Sequence, residues 1–140
     1  MVEAQKKNFK NVISIELDTA LFEAARERFK KDKNVTILQG DSGKVLPGVM
    51  EQITAPAIFW LDGHYSEGVT AKGAKECPIF EELGAIFSAA PLHHILLIDD
   101  ARCFTGMRDY PTFEELKKYI LNKNTKYQIE IKHDIIRCTF

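Results

Sequence analysis

Four short apolar runs punctuate this chain, and each gives way to polar or charged residues at its end. They are NVISIEL (11–17), NVTILQG (34–40), AIFWLD (57–62) and HILLID (94–99). Their lengths suit strands, and the last is apolar enough to be covered on both faces. Segments with a helical period lie between them. Leu21, Phe22, Ala25 and Phe29 share one face of 19–32, and Asp18 is placed to cap its start. The segment 42–53 is a poorer helix, interrupted by Pro47 and Gly48. Pro78 suits the first turn of a helix running to about Ala90, with Ile79, Phe80, Leu83, Ile86 and Phe87 as its buried stripe. TFEE (112–115) is a capping-box pattern, with Thr112 the cap and Glu115 its third residue, for a helix to about Leu121.

The end of the chain breaks the alternation. KYQIEIK and IIRCTF are separated only by HD, which predicts an antiparallel hairpin. Four strand–helix units closed by a hairpin make an α/β fold with a mostly parallel sheet. At 140 residues, with no repeat, linker or low-complexity segment, residues 1–140 form a single domain.

Composition narrows the function classes. With 45% hydrophobic and 28% charged residues the chain reads as globular and soluble. A net charge of −1 implies no general attraction to nucleic acid or membrane. Lys6, Lys7 and Lys10, and Lys30, Lys31 and Lys33, read as solvated helix ends. No apolar stretch reaches the ~20 residues of a transmembrane helix, and MVEAQKKNFK lacks the apolar core of a signal peptide. Cys77, Cys103 and Cys138 fit neither a disulfide framework nor a paired-cysteine zinc site. They read as the reduced thiols of a cytoplasmic protein.

Ligands of open α/β sheets bind outside the carboxyl ends of the strands. Those ends carry Glu16 and Asp18, then Asp41, then Asp62 and His64, then Asp99, Asp100 and Arg102. Local roles stand beside ligand roles: Glu16 can solvate a strand end, Asp18 and Asp41 can cap helices, and Arg102 can pair with Asp99 or Asp100. Asp62 and His64 can hydrogen-bond loop backbone. SEGVTAKG (66–73), with Lys72, reads as a lid over an acceptor or as plain disorder. Trp60 and Tyr65 can stack on a ligand, although Trp60 suits the core. His93 and His94 open a strand and read as exposed.

The strand ends SIELD, LQGDS, LDGHY and LIDD, with the terminal hairpin, resemble class I methyltransferases that use S-adenosylmethionine, from about residue 8 to the end. The resemblance implies a Rossmann-like methyltransferase fold with Glu16, Asp41, Ser42 and Asp62 at the cofactor. Glu16 would take the ribose hydroxyls, since two acceptor oxygens match a vicinal diol. Asp41, with Ser42 beside it, would lie by the adenine amino group. More narrowly, LDGHY and LIDDAR resemble metal-dependent O-methyltransferases acting on sugars. That implies Mg²⁺ on Asp62, Asp99 and Asp100 and a general base at His64. Hard oxygen ligands suit Mg²⁺. The metal would acidify a bound hydroxyl, and a neutral imidazole would take its proton. The sequence departs from that pattern in placing His where an acid is usual. Adjacent side chains alternate along a strand, so Asp100 must lie in the turn, or one of the pair supports the fold.

The resembled fold has a first strand and a glycine-rich turn that have no counterpart here, and only glycine lets backbone approach a cofactor so closely. MVEAQKKNF resembles the tail of the helix that would follow them. The expectation is thus an N-terminally truncated fold with weak or absent S-adenosylmethionine affinity. It would lack the central strand, unless 11–17 and 57–62 pair directly. The complete form would methylate a hydroxyl of a small-molecule acceptor, with no nucleic-acid or membrane partner. The alternative is a non-catalytic methyltransferase-like fold acting as a binding or dimerisation module, including a homodimer that buries the vacated groove. A receiver-like or nucleotide-binding module is opposed by the hairpin and the missing phosphate loop.

Overall fold

The structure, a computed structural model, describes residues 1–63 and 77–140. The elements follow in the order α1 (Val2–Gln5), β1 (Val12–Glu16), α2 (Thr19–Phe29), β2 (Val35–Gln39), α3 (Ser42–Met50), β3 (Ile58–Leu61), α4 (Ile79–Ser88) and β4 (Ile95–Ile98). A 3-10 turn at Ala101–Cys103, α5 (Phe113–Lys123), β5 (Gln128–Lys132) and β6 (Ile135–Thr139) complete the chain. Each expected strand is present within a residue or two. The helices start where their caps put them. Asp18 accepts from the Leu21 N–H at 2.9 Å and Asp41 from the Gly43 N–H at 3.0 Å. Thr112 and Glu115 close a full capping box. Pro47 lies inside α3 on its exposed side, removing one backbone donor without ending the helix.

The strands form two sheets. β1 and β2 pair in parallel, Val12 opposite Val35 through Glu16 opposite Gln39. The second sheet has the order β3-β4-β6-β5, parallel between β3 and β4 and antiparallel at its other two ladders. The fold is therefore mixed α/β, with the hairpin as expected. His133 and Asp134 both take positive φ, the two-residue turn whose twist matches the flanking strands. Strands 11–17 and 57–62 do not pair: among the described residues no ladder joins β1 to β3. The two sheets are instead linked through α3, which packs on α4 and reaches β1.

Strand alternation divides the second sheet into two unlike faces. Leu61, Leu96, Ile98, Ile136 and Cys138 are buried and share one core with Leu83 and Ile86 of α4 and Leu116 and Ile120 of α5. The opposite face carries Ile58, Trp60, Ile95 and Leu97, none of them buried. Trp60 is thus a half-covered residue of the open face, not a core residue. Two other apolar expectations also change. Leu21 is 42% exposed, because α2 covers only the narrow β1–β2 pair, and Phe80 is 38% exposed, lying on the outside of α4 against Tyr119.

His93 is exposed as expected and stacks on Phe140, but His94 is buried. The His94 Nδ1 accepts the Ala57 N–H at 3.1 Å, its ring stands edge-on to Phe59, and its carbonyl accepts from the Tyr127 hydroxyl at 2.7 Å. Those neighbours close over the start of β4, which the sequence alone left open to solvent. Among the described residues no helix is long and apolar enough to cross a membrane.

Candidate functional site

The acids predicted from strand ends lie where the chain leaves each strand, but they do unequal work. Glu16 ends β1 half-buried, and its Oε1 accepts the Asp18 N–H at 3.0 Å. Asp18 is committed to capping α2. Across the pair, Gln39 donates to the Thr19 hydroxyl at 2.7 Å, tying the end of β2 to the start of α2. Gly40 follows β2 with φ near 142°, a conformation side chains resist, and a Cβ there would stand 2.7 Å from Val45. The turn delivers Asp41 as the cap of α3, one oxygen on the Gly43 N–H and the other 3.8 Å from the Lys44 ammonium.

Ser42 brings the two sheets together. Its hydroxyl lies 2.9 Å from where a Cβ on Gly63 would stand, so the segments leaving β2 and β3 meet at one place. The same point lies 2.6 Å from the Glu82 Oε1. Only a glycine at 63 leaves room for both. Glu82 is 3% exposed and has interactions of its own. It borders a small cavity of about 10 Å³, lined also by Leu61, Cys77, Ile98 and Phe104, with room for about one water. Glu82 and Gly63 are site residues that reading the strand ends missed. The signal was present: Glu82 sits three residues after Ile79 and one before Leu83, a carboxylate on the apolar stripe of α4. Burial also pushes the Cys77 thiol up to about 11.

Asp62, at the end of β3, is exposed and engaged in interactions of its own. At the end of β4 the adjacent aspartates separate, as the alternation argument required. Asp99 continues the ladder, its N–H donating to the Leu61 carbonyl at 3.0 Å and its Oδ1 accepting the Asp100 N–H at 2.9 Å. Asp100 turns into the left-handed region, φ 53°, and pairs with Arg102 at 2.6 Å. Arg102 also pairs with Asp134 of the hairpin turn, whose Oδ1 accepts the Arg102 N–H at 2.9 Å. Asp100 thus supports the lock between β4 and the hairpin, and Asp134 is a partner the sequence did not reveal. Among the described residues no group of three His, Cys, Asp or Glu is placed to hold a metal ion. His64, Tyr65 and the loop with Lys72 lie outside the described residues.

What the arrangement can do follows from its charge. Two carboxylates, Glu16 and Asp41, stand at adjacent strand ends, each with one oxygen pinned by backbone, beside a serine hydroxyl and a glycine that keeps the surface low. That set suits a ligand rich in hydroxyl and amino donors.

No family model matches the chain, and no curated protein matches it. Two solved structures are similar in backbone course. One is a candidate rRNA methylase from Clostridium thermocellum, at TM-score 0.49 and 14% identity, covering 91% of this chain and 73% of that one. The other is a candidate methyltransferase from Streptococcus mutans in complex with SAH, at TM-score 0.45 and 18% identity, covering 92% of this chain and 74% of that one. At such scores neither decides what this chain does.

Proposed function

We propose that the chain is a methyltransferase-like protein that holds the adenosine part of S-adenosylmethionine at the carboxyl ends of β1 and β2. The observation that carries the reading is the pair of half-buried carboxylates, Glu16 and Asp41, at the ends of neighbouring parallel strands. Glu16, oriented by the Asp18 N–H, accepts from the ribose diol. Asp41 and Ser42 face the adenine amino group. When bound, the cofactor supplies a methyl group on a sulfonium. The chain's part is to fix the nucleoside. On the acceptor side, His64 takes the proton of a small molecule's hydroxyl.

Adenosine, titrated into isotope-labelled protein, should shift the amide signals of residues 16–18 and 40–43. 2′-Deoxyadenosine should shift them less, since half the diol is gone. A charge-assisted hydrogen bond is worth about 1.5–3 kcal/mol, so Glu16→Ala should weaken binding roughly ten- to hundredfold and exceed the effect of Asp18→Ala. Identical behaviour of the two nucleosides, or no shift at millimolar concentration, would defeat the reading. The non-catalytic binding module is the second reading, favoured by the division of the strands into two sheets.

A further inference from the structure

We propose that the edge of β2 away from β1 docks a second copy of this chain. The two copies join β2 to β2, antiparallel, about a two-fold axis at Ile37, and make one four-stranded sheet of the order β1-β2-β2-β1. The inference depends neither on the nucleoside reading nor on what adjoins β1 or β3.

β2 meets β1 along one side. The Val12 N–H donates to the Asn34 carbonyl at 2.8 Å, and the Gly40 N–H donates to the Glu16 carbonyl at 2.9 Å. Those bonds turn the backbone groups of residues 34 and 40 toward β1, and by alternation those of Thr36 and Leu38 as well. The N–H and C=O groups of Val35, Ile37 and Gln39 therefore face outward. The Val35 N–H donates to the Asp32 carbonyl at 2.9 Å, in the turn before the strand. Among the described residues no strand pairs with that edge.

The edge lacks the devices that keep sheets apart. Natural edge strands are blunted by charged side chains, above all lysine, or by proline. β5, the outer strand of the second sheet, fits that rule, since QIEIK carries Glu130 and Lys132, both exposed. VTILQ carries no charge and no proline. The unit behind it is thinly covered: Val35, Ile37 and Leu38 are half-buried, and of α2 only Phe29 is buried. A pair of strands is marginal by itself, and further strands on a shared apolar face strengthen it. Joining β2 to β2 doubles the width of the sheet.

Symmetry and charge choose the partner and its direction. Lys33 stands two residues before β2 and Asp41 two residues after it. A two-fold at Ile37 sets Ile37 opposite Ile37, Val35 opposite Gln39, and Lys33 of each copy opposite Asp41 of the other. Every outward-facing residue of the strand then meets an outward-facing residue, as an unbroken ladder requires. A parallel pair would set Lys33 beside Lys33 and Asp41 beside Asp41, and like charges across strands repel. Moving the axis to Thr36 or Leu38 takes Lys33 away from Asp41 and leaves one outward-facing residue of each strand without a counterpart. The strand is thus complementary to itself, the requirement of an isologous dimer.

Sedimentation equilibrium of the whole chain, from about 10 µM to about 1 mM, spans the affinities of a small interface. A reversible monomer–dimer equilibrium is expected. Lys33→Glu, at an exposed side chain, should weaken it roughly tenfold or more, because acids then meet at both ends. Ile37→Lys should weaken it too by setting two lysines face to face, while Ile131→Lys on β5 should leave it unchanged. Hydrogen exchange at the Ile37 and Gln39 amides should slow as concentration rises. A chain that stays monomeric throughout, or a dimer indifferent to Lys33→Glu or disrupted by Ile131→Lys, would overturn the proposal. So would Ile37 and Gln39 amides protected equally at every concentration, since another part of the same chain would then hold the edge.

Discussion

The neutral imidazole of His94 is part of the packing at the start of β4, not a surface charge. Burial lowers its pKa below the ordinary 6.5, and among the described residues no hydrogen-bond partner meets its Nε2. Protonating Nδ1 would also remove the acceptor of the Ala57 N–H. The unfolded chain therefore takes up this proton more readily than the folded one. The stability contributed by neutral His94 is full above pH 6.5 and is lost as pH falls through the lowered folded value. Urea unfolding from about pH 8 to about pH 5 should show this loss, and His94→Gln should flatten that part of the curve relative to the parent. The thiols divide by the same physics. Burial pushes Cys138 up to about 12 and Cys77 up to about 11, while Cys103 is half-exposed. Since the thiolate is the reactive form, a disulfide reagent should find Cys103 quickly in the native protein and reach Cys77 and Cys138 only on unfolding. The sequence named all these residues but could not rank their burial, because which side of a strand end meets a neighbour is a matter of long-range packing.

At the scale of elements, local signals were read almost directly. Caps at Asp18, Asp41 and Thr112 work within a few residues, so the helix starts followed from spacing alone. Thr112→Ala removes the hydroxyl that accepts the Glu115 N–H, leaves the backbone bond from residue 112 to the Glu115 carboxylate, and should cost about 1 kcal/mol in urea unfolding. The unit β1–α2–β2 is a different matter. Phe29 is the only residue of α2 that is buried, whereas Leu96, Ile98, Leu116, Ile120, Ile136 and Cys138 are 0–1% exposed. Local opening follows local burial. Native-state hydrogen exchange should therefore be slowest in β4, β6 and α5 and faster by orders of magnitude across residues 12–39. Uniform protection of the two regions would refute this order. The moderate apolar stripe of α2 looked sufficient in the sequence. Its weakness appears only when the sheet beneath it proves to be two strands wide.

For the whole molecule, the sequence by itself determined the element order, the strand directions within each parallel pair, the closing hairpin and the residues at the strand ends. These depend on periods of two and 3.6 residues, on capping side chains and on a two-residue turn, all written within a dozen positions. The tertiary structure decided what those elements share. It separated β1 from β3, because hydrogen-bonded neighbours are chosen by where crossovers carry the chain. It split Asp99 from Asp100, sending the second to Arg102 and the hairpin, because a left-handed residue turns the backbone at that point. It also raised Glu82 into the site beneath Gly63, since a helix stripe becomes a site wall only when a strand end is laid across it. Strand-end acids are legible in a sequence. Whether they converge depends on the relative placement of elements far apart in the chain, which no local pattern encodes.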